Sequence, residues 1–173
     1  MRVETLAVFV RAVERLNELT GRWVSWLALA TVLVCATVVV LRYAFGIGFI
    51  WMQELYVWSH ATVFMVGAGY TFLKDQHVRV DIYYVNMSAR GKAWVELIGG
   101  TVFLLPWLAI LFVLAIPYVS ASWGLFEASS QTGGMPGLFI LKTMILIFCV
   151  LVGLQGLAGM ARAVMVLSGR ELA

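Results

Sequence analysis

Charge is what this sequence has least of. Asp, Glu, Lys and Arg make up only 12% of its 173 residues, while 62% are hydrophobic and the mean hydropathy is +0.95. Soluble domains carry roughly twice that charged fraction. The class is therefore integral membrane protein, with no polar stretch long enough for a soluble domain. Cysteine is scarce too: Cys35 and Cys149 both lie in apolar runs and read as buried free thiols, with no metal-ligand spacing around them. The two histidines, His60 and His77, sit at opposite levels of what reads as one helix, so a single chain cannot clamp a haem between facing helices. No phosphate-binding glycine loop, His-Glu-x-x-His or Gly-x-Ser-x-Gly occurs, which excludes the common self-sufficient enzymes and ATP-driven pumps. Paired Gly/Pro interruptions at mid-span, which mark many transporter substrate sites, are missing as well. The net charge of +3 is small. Its basic residues flank apolar segments and form no stripe, so the expected partner is the lipid bilayer and not nucleic acid. No enzyme activity and no cofactor is expected.

What is present is a series of apolar runs of membrane length. The expected fold class is all-α integral membrane: four transmembrane helices behind an N-terminal amphipathic interfacial helix, in one membrane domain over residues 1–173. In residues 1–22, Arg11, Glu14, Arg15, Glu18 and Arg22 recur at helical steps on one face, and Val3, Leu6, Val10, Val13 and Leu16 form the other. Such a helix suits the membrane interface, or else extends the first span. Residues 23–41 hold no charge, and 19 residues cross a hydrocarbon core of about 30 Å. The spans are expected over about residues 23–42, 50–73, 93–118 and 138–167. Gly46 and Gly48 mark the first turn, and Gly133-Gly134-Met135-Pro136-Gly137 the last. Pro106 should kink the third span. Gly153, Gly156 and Gly159 form a smooth stripe on the fourth, for a partner helix or for this chain's own helices.

Lys and Arg fix the orientation. Arg2, Arg11, Arg15 and Arg22, then Lys74, Arg79, Arg90 and Lys92, then Arg162 and Arg170 fall on one side; the other has only Arg42 and Lys142. Positive-inside asymmetry places both termini and the loop at 74–92 in the cytoplasm of a multi-pass membrane protein.

The stretch from Trp51 to Asp81 carries the most unusual polar chemistry. Glu54 lies one turn inside the second span, where the free N–H groups and the helix dipole favour a carboxylate. His60 lies near mid-membrane, where an imidazole bonded within the protein is the ordinary expectation and a functional group the sharper one. The helix then runs into a dense polar cluster ending His77-Val78-Arg79-Val80-Asp81.

Trp51-x-x-Glu54-Leu55 opening a span, Gly67-Ala68 in its later half and His77-Val78-Arg79-Val80-Asp81 just beyond it resemble the small membrane subunit of TRAP transporters. These are tripartite, ATP-independent systems, and this is their DctQ-like component. Glu127, with Gly134-Met135-Pro136 before the last span, is similar to the family too. Asn86-Met87-Ser88 stands where a Leu-Pro pair is common in it. The resemblance implies a non-catalytic subunit paired with a large DctM-like permease subunit. A periplasmic substrate-binding protein would supply the cargo, and uptake of an organic acid (a carboxylate) would be driven by a sodium gradient. The small subunit would brace the large one's scaffold. It further implies that Glu54, His77, Arg79, Asp81 and Glu127 are structural or intersubunit residues, with no substrate or metal ligand in this chain; a solvated charge run remains the other reading of residues 77–81. The alternatives are a membrane anchor of a redox complex, sharing haem or quinone with a partner, and an autonomous channel or small transporter.

Overall fold

Apolar runs broken by glycine-rich turns give helices and, among the described residues, no strand. The computed structural model describes residues 3–77 and 82–169. It has α1 (Val3–Phe45), α2 (Ile50–Leu73), α3 (Ala89–Gly99), α4 (Leu105–Gly124) and α5 (Leu138–Leu167). A π-helical turn, Gly100–Leu104, joins α3 to α4. Three stretches are long and apolar enough to cross a membrane: Thr5–Phe45 in α1, Ala89–Gly124 through α3 and α4, and Leu138–Leu167 in α5. α2 matches the expected 50–73 and, at 24 residues, is about 36 Å long. Its Gln53, Glu54, Ser59 and His60 make it less apolar than the other three.

The boundary expected near Arg22 does not occur. α1 runs unbroken for 43 residues, about 64 Å. The reason lies in what covers its early apolar face. Val10 and Val13 are buried against Ala158, Ala161 and Met165 of α5, with Leu6 packed beside them, so the middle of this face is covered by protein while Leu16 stays exposed. A helix packed along its flank in this way continues without a break into the apolar run that follows. The interfacial helix expected over residues 1–22 is, in its described part, the first half of α1.

The third span begins earlier than expected, at Ala89 instead of 93. Ser88 caps it, its hydroxyl accepting the Gly91 N–H at 3.2 Å. Where a kink is expected at Pro106, the helix carries a π turn just ahead of the proline. Proline has no N–H to give and its ring crowds the carbonyl four residues back. Just ahead of it the ladder widens, and the Leu105 N–H reaches back five residues to the Gly100 carbonyl.

α5 is the hub. It packs against α1, α2, α3 and α4, and ten of its residues are buried. On one side, Ala68 of α2 and Leu108 of α4 meet Cys149 and Val152. The glycine stripe explains how the helices come this close. A Cβ at Gly156 would lie 2.5 Å from Leu104 Cδ2, and one at Gly153 would touch Leu108 at 3.7 Å. At these two positions the stripe serves the chain's own helices. Both cysteines are free, Cys149 buried and Cys35 half-buried.

Candidate functional site

The polar chemistry of this bundle collects at its two ends. The basic end holds Arg11, Arg15 and Arg22 of α1, Lys74 after α2, Arg90 and Lys92 at the start of α3, and Arg162 of α5. The opposite end holds Arg42, Lys142 and the loop at 125–137.

At the opposite end Glu54 does more than sit at a helix N-terminus. Its Oε1 accepts the Ser129 hydroxyl, and its Oε2 accepts the Met135 N–H at 2.6 Å. One carboxylate thus fixes both arms of the loop, which closes on itself through Ser129 N–H to Met135 O at 3.0 Å and Gly134 N–H to Gln131 O at 2.9 Å. The loop passes so close that a Cβ on Gly134 would lie 2.8 Å from Glu54 Oε2. The sequence resemblance in Gly134-Met135-Pro136 therefore coincides with the segment that Glu54 holds.

Glu127 forms a second clamp in the same loop. It accepts the ammonium of Lys142, from α5, and the Ser122 hydroxyl, from α4, at 2.6 Å. The hydrogen bond from Lys142, and then that from Ser122, hold its pKa below the ordinary carboxylate value. Lys142 also lies 4.2 Å from the Tyr118 ring centroid. Trp123 seals the corner, donating from Nε1 to Thr143 Oγ1 at 2.9 Å and packing on Phe139. Glu54 and Glu127 thus hold one loop, gripped from α2 on one side and from α4 and α5 on the other.

At the basic end the links run between helices. Glu14 of α1 pairs with Arg162 of α5 at 2.9 Å, and Glu18 with Lys74 at 3.4 Å. Deeper in, Asn17 is fully buried and donates to Gln155 Oε1 at 2.9 Å and to the Val13 carbonyl at 3.3 Å. Its Oδ1 faces Gly69, where a Cβ would collide with it. Gln155 is 2% exposed. Beside this pair a cleft of about 490 Å³ opens between α2, α3 and α5, with Phe72, Leu104 and Met160 on its walls and Glu96 and Arg162 at its rim.

His77 lies at this end. Its Nε2 is 3.3 Å from the Ala68 carbonyl and its ring stands edge-on to Phe72, so it folds back over the end of α2. Arg79 and Asp81, expected to join it in a cluster, lie outside the described residues. Glu96 accepts the Tyr84 hydroxyl at 2.7 Å, which ties the connection between the hairpins to α3.

Sequence reasoning missed Asn17, Gln155, Ser129 and Lys142 as linking residues. The signals were weak but present. Gln155 is the lone amide in a long apolar span, Asn17 interrupts an apolar face, and a buried polar group requires a partner.

The bundle of apolar helices is linked at both ends through carboxylates. The family described as "Tripartite ATP-independent periplasmic transporters, DctQ component" matches residues 30–165. The chain belongs to that family and is a small permease component of a TRAP transporter. Membership implies a tripartite assembly with a large DctM-type subunit and a substrate-binding protein. No match was found among curated proteins or among solved structures.

Proposed function

We propose that this chain braces the large permease subunit of a sodium-coupled, binding-protein-dependent transporter that takes up an organic acid across the bacterial inner membrane. The observation that carries the reading is where the charges go. Glu14, Glu18, Glu54 and Glu127 each join two elements of the bundle, at one end or the other. They stiffen the chain along its length, as a static support beside a moving partner requires. The family match adds the transport context. Sodium coupling and a carboxylate cargo are taken from the resemblance, with those sites in the large subunit. His77, Arg79 and Asp81 are proposed to hold the connection between hairpins, and Glu54 and Glu127 to shape the outer loop that the binding protein or large subunit meets.

Four crossings, with both termini cytoplasmic, complete the proposal. α2 lies antiparallel along α1: Gly69 faces Asn17 and Gly67 faces Val24, while Glu54 reaches the loop at the far end. A helix running the length of a crossing helix shares its slab. The concentration of Lys and Arg at one end supports the assignment of that end to the cytoplasm.

The test is a mild-detergent pull-down of the chain tagged at Ala173, followed by reconstitution of the recovered assembly with its binding protein. Recovery of a large polytopic protein, and carboxylate uptake that collapses without a sodium gradient, are the expected results. Uptake by this chain alone would overturn the bracing role. A reporter at Ala173 active only on the periplasmic side would overturn the topology.

A further inference from the structure

Lipid tails satisfy an exposed leucine but not an exposed imidazole. Most of the bundle's outer surface asks only for lipid: α4, for example, presents Trp107, Ile110, Val113 and Leu114. The pair α1 and α2 differs. Between them runs an apolar groove of about 740 Å³, bordered by Thr31, Cys35 and Ala36 on α1 and by Tyr56, Val57 and His60 on α2. His60 is exposed there. It stands at the eleventh of α2's 24 residues, close to the middle of the helix. Neither its ring nor the Tyr56 hydroxyl has a hydrogen-bond partner among the described residues. The Thr31 hydroxyl, by contrast, is spent on the Leu27 carbonyl at 2.8 Å.

The cost of leaving such a group to lipid is large. An imidazole always carries at least one N–H, and its other nitrogen is a donor or an acceptor. Nothing in hydrocarbon answers it. Among the described residues the expected inward bond from His60 is not made, although Glu54 on the same helix has two partners. The groove wall is also the right shape for a helix. Small side chains at 31, 35 and 36 let a backbone approach. The stretch from Thr31 to Val40 offers about 14 Å, between two and three helical turns.

We infer that the α1–α2 groove is the face that receives the large permease subunit, through one transmembrane helix that presents a hydrogen-bonding side chain opposite His60. The inference rests on the reading of the chain as a small permease subunit. It assigns that subunit its contact face, and it gives His60 an intersubunit role. The lipid-like surface of α4 is left to the bilayer.

Photo-crosslinking in cells that express all three components tests it. A benzoylphenylalanine at Val57, on the groove, is expected to crosslink the large subunit; one at Val113, on the outer face of α4, is expected not to. Both positions are exposed, so neither probe disturbs this chain's own packing. His60→Leu should lower the recovery of the large subunit about threefold or more, and His60→Gln should restore most of it. If the large subunit co-purifies but crosslinks from Val113 and not Val57, or equally from both, the face assignment is wrong while the small-subunit reading stands. Unchanged recovery with His60→Leu would remove the role of the imidazole. If no large polytopic partner is recovered with any variant, the small-subunit reading fails, and the contact face falls with it.

Discussion

Replacing Glu54 by alanine separates two explanations of that residue. If Glu54 served mainly the N-terminus of α2, its loss would weaken the first turns of α2 and leave the loop alone. The structure gives a different account: the carboxylate accepts a hydroxyl from Ser129 and an N–H from Met135. Hydrogen bonds to a charged group contribute roughly 1.5–3 kcal/mol each. Glu54 is half-buried, which favours the low end, so the pair contributes about 3 kcal/mol to loop closure. At about 1.4 kcal/mol per factor of ten, opening of the loop should become roughly a hundredfold more frequent. Amide hydrogen exchange in detergent reads this directly, because the Met135 N–H exchanges only when the loop opens. Glu54→Ala should therefore accelerate exchange at Met135 about a hundredfold, and at Ser129, whose N–H bonds to Met135, by a similar factor. Glu54→Gln keeps an acceptor for Met135 but loses the charge, and should accelerate it about tenfold. The Gly91 N–H, at the other end of the bundle, should not change. Unaltered exchange at Met135 in Glu54→Ala would refute the clamp and return Glu54 to the helix-dipole explanation.

Four further outcomes follow from the geometry. The Glu127 carboxyl should titrate below its ordinary value of 4.5. Because its folded pKa is lowered, its clamp on Lys142 is fully present above that ordinary value and is lost as pH falls through the lowered one; carbon-13 carboxyl titration should show this, and Lys142→Met should raise the midpoint. A double-mutant cycle on Asn17 and Gln155 should give a coupling of about 0.6–1.7 kcal/mol in thermal or denaturant unfolding, and none if the pair acts independently. Gly156→Leu forces a side chain against Leu104 and should destabilise by about 1–3 kcal/mol in the same assay, whereas substitution at Gly159, which has nothing within 4 Å, should be nearly neutral. The pair Glu14–Arg162 is 31% and 37% exposed, so its coupling should be only about 0.2–1 kcal/mol and should shrink with added salt.

Much of this fold was legible because membrane helices announce themselves one at a time. The bounds of α2 and α5 follow from an apolar run and the turn residues that stop it, both local signals. The interruption at Pro106 was local as well, though its form as a π turn depends on how the ladder relaxes ahead of the ring. What the sequence withheld is what lies far apart along the chain. Glu54 and Met135 are 81 residues apart, and Asn17 and Gln155 are 138 apart. Periodicity cannot pair such residues; it can only mark each as needing a partner. The break expected after Arg22 failed for the same reason. A charged face at the start of α1 looks like an interfacial helix until α5 is seen to cover the opposite side.

The position of α5 also bears on how the protein is made. Helices emerge in the order of synthesis, and α1 and α2 can pair as soon as both are made. α4 must then wait, because it finds its buried contacts through α5, at Leu108 and at Leu104 of the π turn just ahead of it. Until the last of these five helices arrives, Asn17 has no Gln155 and Glu127 has no Lys142. The arrival of α5 thus closes the bundle and gives the Asn17 amide N–H and the Glu127 carboxylate their partners at once. A chain stopped at Gly137 should be taken by membrane quality control and not accumulate as a half-formed bundle; pulse-chase turnover of that truncation, slower than or equal to the full chain's, would argue against this order of assembly.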